Sequence, residues 1–151
     1  MRKINKLWKY GNIQEGLRHY VVIIIISLLK FNVMFLKLAH TNLEVYKCSR
    51  QLTLEVYRVT KQFPESERYV IVSQLRRAAL SIHLNIAEGS SRKSQTERKR
   101  YYEIARGSLI EVDTAIGVSY DLLYATYDQL ENLGASIVRT FKLLSGMIDK
   151  G

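Results

Sequence analysis

A chain of 151 residues with 47% hydrophobic and 25% charged side chains has the make-up of one ordinary globular domain with its own core. One proline and eight glycines exclude a turn-rich β architecture, and the lone Cys48 excludes an internal disulfide and points to a reducing, cytoplasmic compartment. The net charge of +9 is no argument for nucleic-acid binding by the whole chain. Residues 1–40 hold seven cationic side chains against Glu15 alone, a net +6, which leaves +3 for residues 41–151.

Residues 1–40 read as an apolar leader, separate from a domain at residues 41–151. The leader has three readings. As a membrane or interfacial anchor, its apolar run from Tyr20 is broken at Lys30, Asn32 and Lys37, short of the roughly 20 apolar residues a span requires. As a signal peptide it has a basic start and an apolar centre, but Leu36-Lys37-Leu38-Ala39-His40 makes a poor cleavage site. As a product of a mis-assigned start, residues 1–33 would be absent and Met34 would begin the protein. Val21–Leu29 is in any case sticky and β-prone.

Four helices follow. The first spans about Thr41 to Gln62, with Leu43, Tyr46, Leu52, Val56, Tyr57 and Thr60 on one stripe and Thr41 or Asn42 as N-cap. Phe63-Pro64 ends it, because the residue before proline is driven out of helical geometry. The second starts near Glu65, carries Glu65 and Glu67 in its first turn, and has Val72, Leu75, Ala79, Ile82 and Ile86 as its seam. Gly89 is expected to stop it in a positive-φ conformation. The third opens with a capping box of Ser94 and Glu97 and runs to about Tyr124. Its stripe is Tyr101, Ala105, Ser108, Val112, Ala115, Ser119 and Leu122, broadened by Ile104, Leu109, Ile116 and Leu123. The fourth takes Thr126 or Asp128 as N-cap and places Leu130, Leu133, Ile137, Phe141, Leu144 and Ile148 on one face. Four amphipathic helices with short links give an all-α, antiparallel, up-down-up-down bundle. The wide apolar faces of the first and third helices leave surface for a homo-oligomer.

Leu43-Glu44-Val45-Tyr46, Phe63-Pro64, Ser73-Gln74-Leu75-Arg76-Arg77-Ala78-Ala79 and Ser81-Ile82 with Asn85-Ile86-Ala87-Glu88-Gly89 occur in the order and spacing of a known family. Over roughly residues 41–150 the chain resembles the four-helix-bundle proteins encoded in intervening sequences of bacterial 23S ribosomal RNA. That group is similar to the accessory variability determinant of diversity-generating retroelements. The resemblance implies an antiparallel bundle assembled as a homo-oligomer, a pentamer in the family's usual form. The retroelement relatives bind a reverse transcriptase and nucleic acid through a basic surface. One departure stands out: His83 and Leu84 follow Ser81-Ile82, where the family has proline and then a position that is often small and polar.

The candidate binding residues are Arg76, Arg77, Arg92, Lys93, Arg98, Lys99, Arg100 and Arg106. With only Glu88, Glu97 and Glu103 among them, residues 76–106 carry a net +5, more than the whole domain. Such segregation suits a phosphate backbone of RNA or DNA, or an acidic protein partner, and Tyr101 and Tyr102 could stack on unpaired bases. The plain alternative is a solvated helix face carrying i, i+4 pairs such as Lys99–Glu103. Asn85, Glu88, Gly89, Ser94 and Glu97 form a structural motif at the turn. Asn85 and Glu88 are expected to clamp the helices, with Glu88 on Arg92 or Arg98.

No catalytic set is visible. His19, His40 and His83 lack metal-ligand spacing with Cys48, so no metal and no cofactor is expected. Gly89-Ser90-Ser91-Arg92-Lys93-Ser94 lacks the second glycine and preceding strand of a phosphate loop. The sequence therefore points to a non-enzymatic nucleic-acid-associated adaptor, with a structural or protein-interaction module as the alternative. A membrane is a partner only if residues 1–33 are part of the protein.

Overall fold

A computed structural model describes residues 17–26, 36 and 38–150. The chain divides into two units, residues 1–37 and 38–151. Of the first, residues 17–26 are helical, with every side chain exposed. Val21 to Ile26 are thus helical and not extended, contrary to their β-branched composition. The other positions of that unit that bear on the leader, Lys30, Asn32, Met34 and Lys37 among them, lie outside the described residues. No described helix is long and apolar enough to cross a membrane.

The second unit holds four long helices: α1 (Glu44–Val59), α2 (Ile71–Ser91), α3 (Gln95–Asp121) and α4 (Tyr127–Asp149). Short 3-10 turns at Ala39–Asn42 and Glu65–Glu67 precede α1 and α2. No strand occurs among the described residues. α1 packs against α2 and α4, and α3 against α2 and α4, around a shared core.

Hydrogen bonds and ion pairs tie neighbouring helices together. From α1 to α2, Ser49 meets His83, Thr53 meets the Ala79 carbonyl and Thr60 meets Arg76. From α2 to α3, Gln74 meets Glu111, Ser81 meets Ser108 and Ser90 meets Tyr102. From α1 to α4, Glu44 pairs with Arg139, and Arg58 donates to the Gln129 carbonyl.

The α2 seam is the one expected: Val72, Leu75, Ala79, Ile82 and Ile86 are all buried. Elsewhere the pattern shifts. α1 buries Val45, Cys48, Ser49, Leu52, Thr53, Val56 and Val59, while Leu43 is exposed and Tyr46 and Tyr57 are half-buried. α3 buries Tyr102 where Tyr101 was expected, and Ile104, Leu122 and Leu123 face solvent. On α4, Phe141 is exposed and Thr140 is buried, its hydroxyl donating to the Ser136 carbonyl.

The helix ends differ from the sequence expectation in three places. Thr41 does not cap α1: its hydroxyl donates to the Leu38 carbonyl at 2.7 Å, and Leu43 occupies the cap position without a side-chain bond. Glu65 and Glu67 belong to the 3-10 turn, and α2 begins only at Ile71. Gly89 does not end α2. The helix continues to Ser91, and no described glycine has a positive φ.

The left-handed stop sits instead at Leu123, with φ 61°. There the Leu123 N–H bonds the Tyr120 carbonyl and the Tyr124 N–H bonds the Ser119 carbonyl, both at 2.9 Å. This is the paired C-terminal motif usually built on glycine. At the other end of that turn Thr126 is the α4 N-cap, in a reciprocal box with Gln129.

Candidate nucleic-acid interface

The turn between α2 and α3 is held by Arg92. Its guanidinium pairs with Glu88, one turn back on α2, and donates to the Tyr101 hydroxyl on α3 at 3.1 Å. The Tyr101 bond, with Glu88 beside it, raises the Arg92 pKa above its usual value. Glu88 at the C-terminal end of a helix needs a cation partner, and Arg92 supplies it. Arg92 thus joins the two helices, and both bonds run through the same nitrogen, Nη2. Arg98 reinforces the turn by donating to the Arg92 carbonyl at 3.0 Å, which uses one of its five N–H groups.

Gly89 has a different task from the one its position suggested. A Cβ there would lie 2.8 Å from Tyr102 Cε1 and 3.0 Å from Tyr101 Cβ. The glycine lets α3 approach α2. Ser90 donates its proton to the Ile86 carbonyl at 2.7 Å, so its oxygen accepts from the Tyr102 hydroxyl at 3.1 Å. Tyr102 is consequently buried and fixed, and its ring face is not free to stack on a base.

Asn85 donates to the Ser81 carbonyl at 2.8 Å, within its own helix, and to the Ser81 hydroxyl at 3.1 Å. The cross-helix bond is made by Ser81 and Ser108 at 2.9 Å, so Asn85 supports the clamp and does not form it. Ser94 caps α3 by accepting from the Glu97 N–H at 3.4 Å.

The eight candidate cations do not gather in one place. Arg76 is half-buried on the α1 side of α2: its Nε donates to Thr60 Oγ1 at 3.0 Å, and its guanidinium lies 4.9 Å from the Tyr57 ring centre. Arg77 donates to Gln74 at 2.6 Å. At a rise of about 1.5 Å per residue, Arg76 is about 24 Å along α2 from Arg92. Lys93, Lys99, Arg100 and Arg106 make no hydrogen bond or ion pair with the described residues, and the expected Lys99–Glu103 pair is not formed. At about 100° per residue, Lys99 and Arg106 share one face of α3 and Arg100 turns away from it.

A groove of about 460 Å³ opens beside the turn. Arg98, Lys99 and Tyr102 line it from α3 and Ser90 from α2, and Leu43 and His40 come from the chain entering α1. Met147 and Lys150 close it at the end of α4. His40 and Lys150 were not among the sequence candidates. They are far from the turn along the chain, and only the meeting of helix ends brings them there. Among the described residues no carboxylate lines the groove. Among the described residues no three of His, Cys, Asp and Glu are placed to hold a metal.

The family model described as 23S rRNA-intervening sequence protein matches residues 41–146. Among solved structures, a protein of unknown function of the S23 ribosomal protein family from Bacteroides thetaiotaomicron VPI-5482 superposes with a TM-score of 0.64 at 23% identity. The match covers 69% of this chain and 97% of that one. At that identity the likeness is one of fold. Comparison with curated proteins gave no match.

Proposed function

The chain belongs to the 23S rRNA-intervening sequence protein family, and from that premise we propose that it is a non-enzymatic nucleic-acid-associated adaptor of the cytoplasm. Its four helices run antiparallel, up-down-up-down, and the bundle assembles as a homo-oligomer, with five copies as the family resemblance implies. The α2–α3 corner contacts the phosphate backbone of RNA or DNA. The observation that carries this reading is that four cations of the turn and the first half of α3, Lys93, Lys99, Arg100 and Arg106, have no partner among the described residues. Cations without carboxylate partners keep their charge available to phosphate, and several copies in one assembly would multiply weak contacts.

The test is an anisotropy titration with single-stranded RNA at two salt concentrations. With about four phosphates neutralised and a slope of about −0.7 per contact, affinity should fall about 50-fold between about 50 and 200 mM salt. A joint Lys93→Glu, Lys99→Glu, Arg100→Glu variant should lose binding and keep its assembly. Absence of binding in low salt, with the protein folded, would end this reading.

A second reading, a protein-interaction module, has its own observation. Ile110, Val138 and Phe141 are exposed around an apolar groove of about 280 Å³ between α3 and α4. If the triple charge reversal dissociates the assembly, the corner is a contact between subunits or with an acidic partner, and this second reading takes over.

A further inference from the structure

We propose that the groove at the end of the bundle is a pocket for one terminal nucleotide of a single strand, bound by its phosphomonoester. This rests on the nucleic-acid reading above and names what the corner would recognise. The volume of about 460 Å³ falls inside the range of about 300–1,000 Å³ typical of small-ligand clefts and is far too small for a duplex. The cleft has two chemically distinct parts. Leu43, Met147 and Ala39 supply an apolar floor for a base and sugar, and Arg98, Lys99 and Lys150 supply positive charge.

The charge argues for a chain end and not for an internal linkage. An internal phosphodiester carries one negative charge, whereas a terminal phosphomonoester carries about −1.5 to −2 at neutral pH. Three cations, with no carboxylate among the described lining residues, match the second. Among the described residues Arg98 keeps four donors after its bond to the Arg92 carbonyl, and Lys99 and Lys150 keep all of theirs. Arg98 and Lys99 also project from the first turns of α3, where the exposed N–H groups favour an anion.

The experiment has two arms on the full chain. In the first, calorimetry compares adenosine 5′-monophosphate, adenosine and inorganic phosphate. The monophosphate should bind at least tenfold more tightly than either part. A Lys99→Glu, Lys150→Glu variant should abolish that binding, and Met147→Trp, which fills the floor, should weaken it at least tenfold with the helical circular dichroism unchanged. In the second, a 5′-phosphorylated single strand should bind at least fivefold more tightly than its 5′-hydroxyl counterpart, with the preference lost in both variants. Equal binding of monophosphate and inorganic phosphate, or indifference to Met147→Trp, would overturn the pocket. RNA binding with no preference for a terminal phosphate would overturn the strand-end assignment and leave the adaptor reading standing. Monophosphate binding without any RNA binding would do the reverse for the adaptor, and would make free nucleotide the ligand.

Discussion

At Gly89 two effects of a methyl group oppose each other. Alanine in a helix interior is better than glycine by about 1 kcal/mol, whereas an extra methyl in a close-packed contact costs about 1–3 kcal/mol. The second should win, because the atoms it meets cannot yield. Tyr102 is 3% exposed and bonded to Ser90, and the Tyr101 contact is at Cβ. Gly89→Ala should lower stability by up to about 2 kcal/mol net, read from urea unfolding. Gly134 is the matched control. A Cβ there meets nothing within 4 Å, so Gly134→Ala should gain about 0.5–1 kcal/mol.

His83 gives the fold a pH dependence. Ser49 donates its hydroxyl proton to the Tyr46 carbonyl, so its oxygen accepts from His83 Nδ1–H at 2.8 Å. The ring lies tilted against Tyr46, centroids 4.3 Å apart, and burial, then Arg50 and His40, hold its pKa below the usual value. The folded state therefore resists a proton that the unfolded chain accepts near pH 6.5. Stability should fall as pH drops below about 6.5, until the folded ring itself titrates. Between pH 7 and about 5.5, before most carboxylates protonate, His83→Gln should flatten that slope in urea unfolding.

At the scale of the helices, the sequence was most legible where apolar spacing alone decided packing. Every residue of the expected α2 seam is buried, and Ala78 and Gly89 join it. α1 misled because Ser49 and Thr53 are buried through hydrogen bonds, to His83 and to the Ala79 carbonyl, and an apolar-spacing rule skips both. The helix stop misled more sharply. Glycine was read as the terminator at residue 89, yet the turn that needs a positive φ carries Leu123, which no composition rule would single out. A leucine side chain in that conformation costs about 1–2 kcal/mol. Leu123 is 87% exposed and leaves no cavity when removed, so Leu123→Gly should raise the melting temperature, by about 3–8 °C for a gain near 1 kcal/mol.

At the scale of the whole molecule, the Glu88–Arg92 pair was readable from a four-residue spacing and a helix end. The groove was not, because its cations come from the start of α3 and from just past the end of α4. Clustering along the chain overstated the corner by including Arg76 and Arg77, which serve α1 and Gln74 instead. A variant that reverses charge at Arg77 should therefore leave RNA affinity within about twofold, whereas reversal at Lys99 should lower both affinity and the steepness of its salt dependence, by about 0.7 in log–log slope per lost contact.

Ala39 and Lys150 border one cleft, so the polypeptide enters and leaves the bundle as near neighbours. An affinity handle appended next to either would hang over the mouth and mask whatever docks there. Joining the two by a brief flexible bridge and reopening the chain at the Leu122–Ala125 bend would move both tails to the far pole.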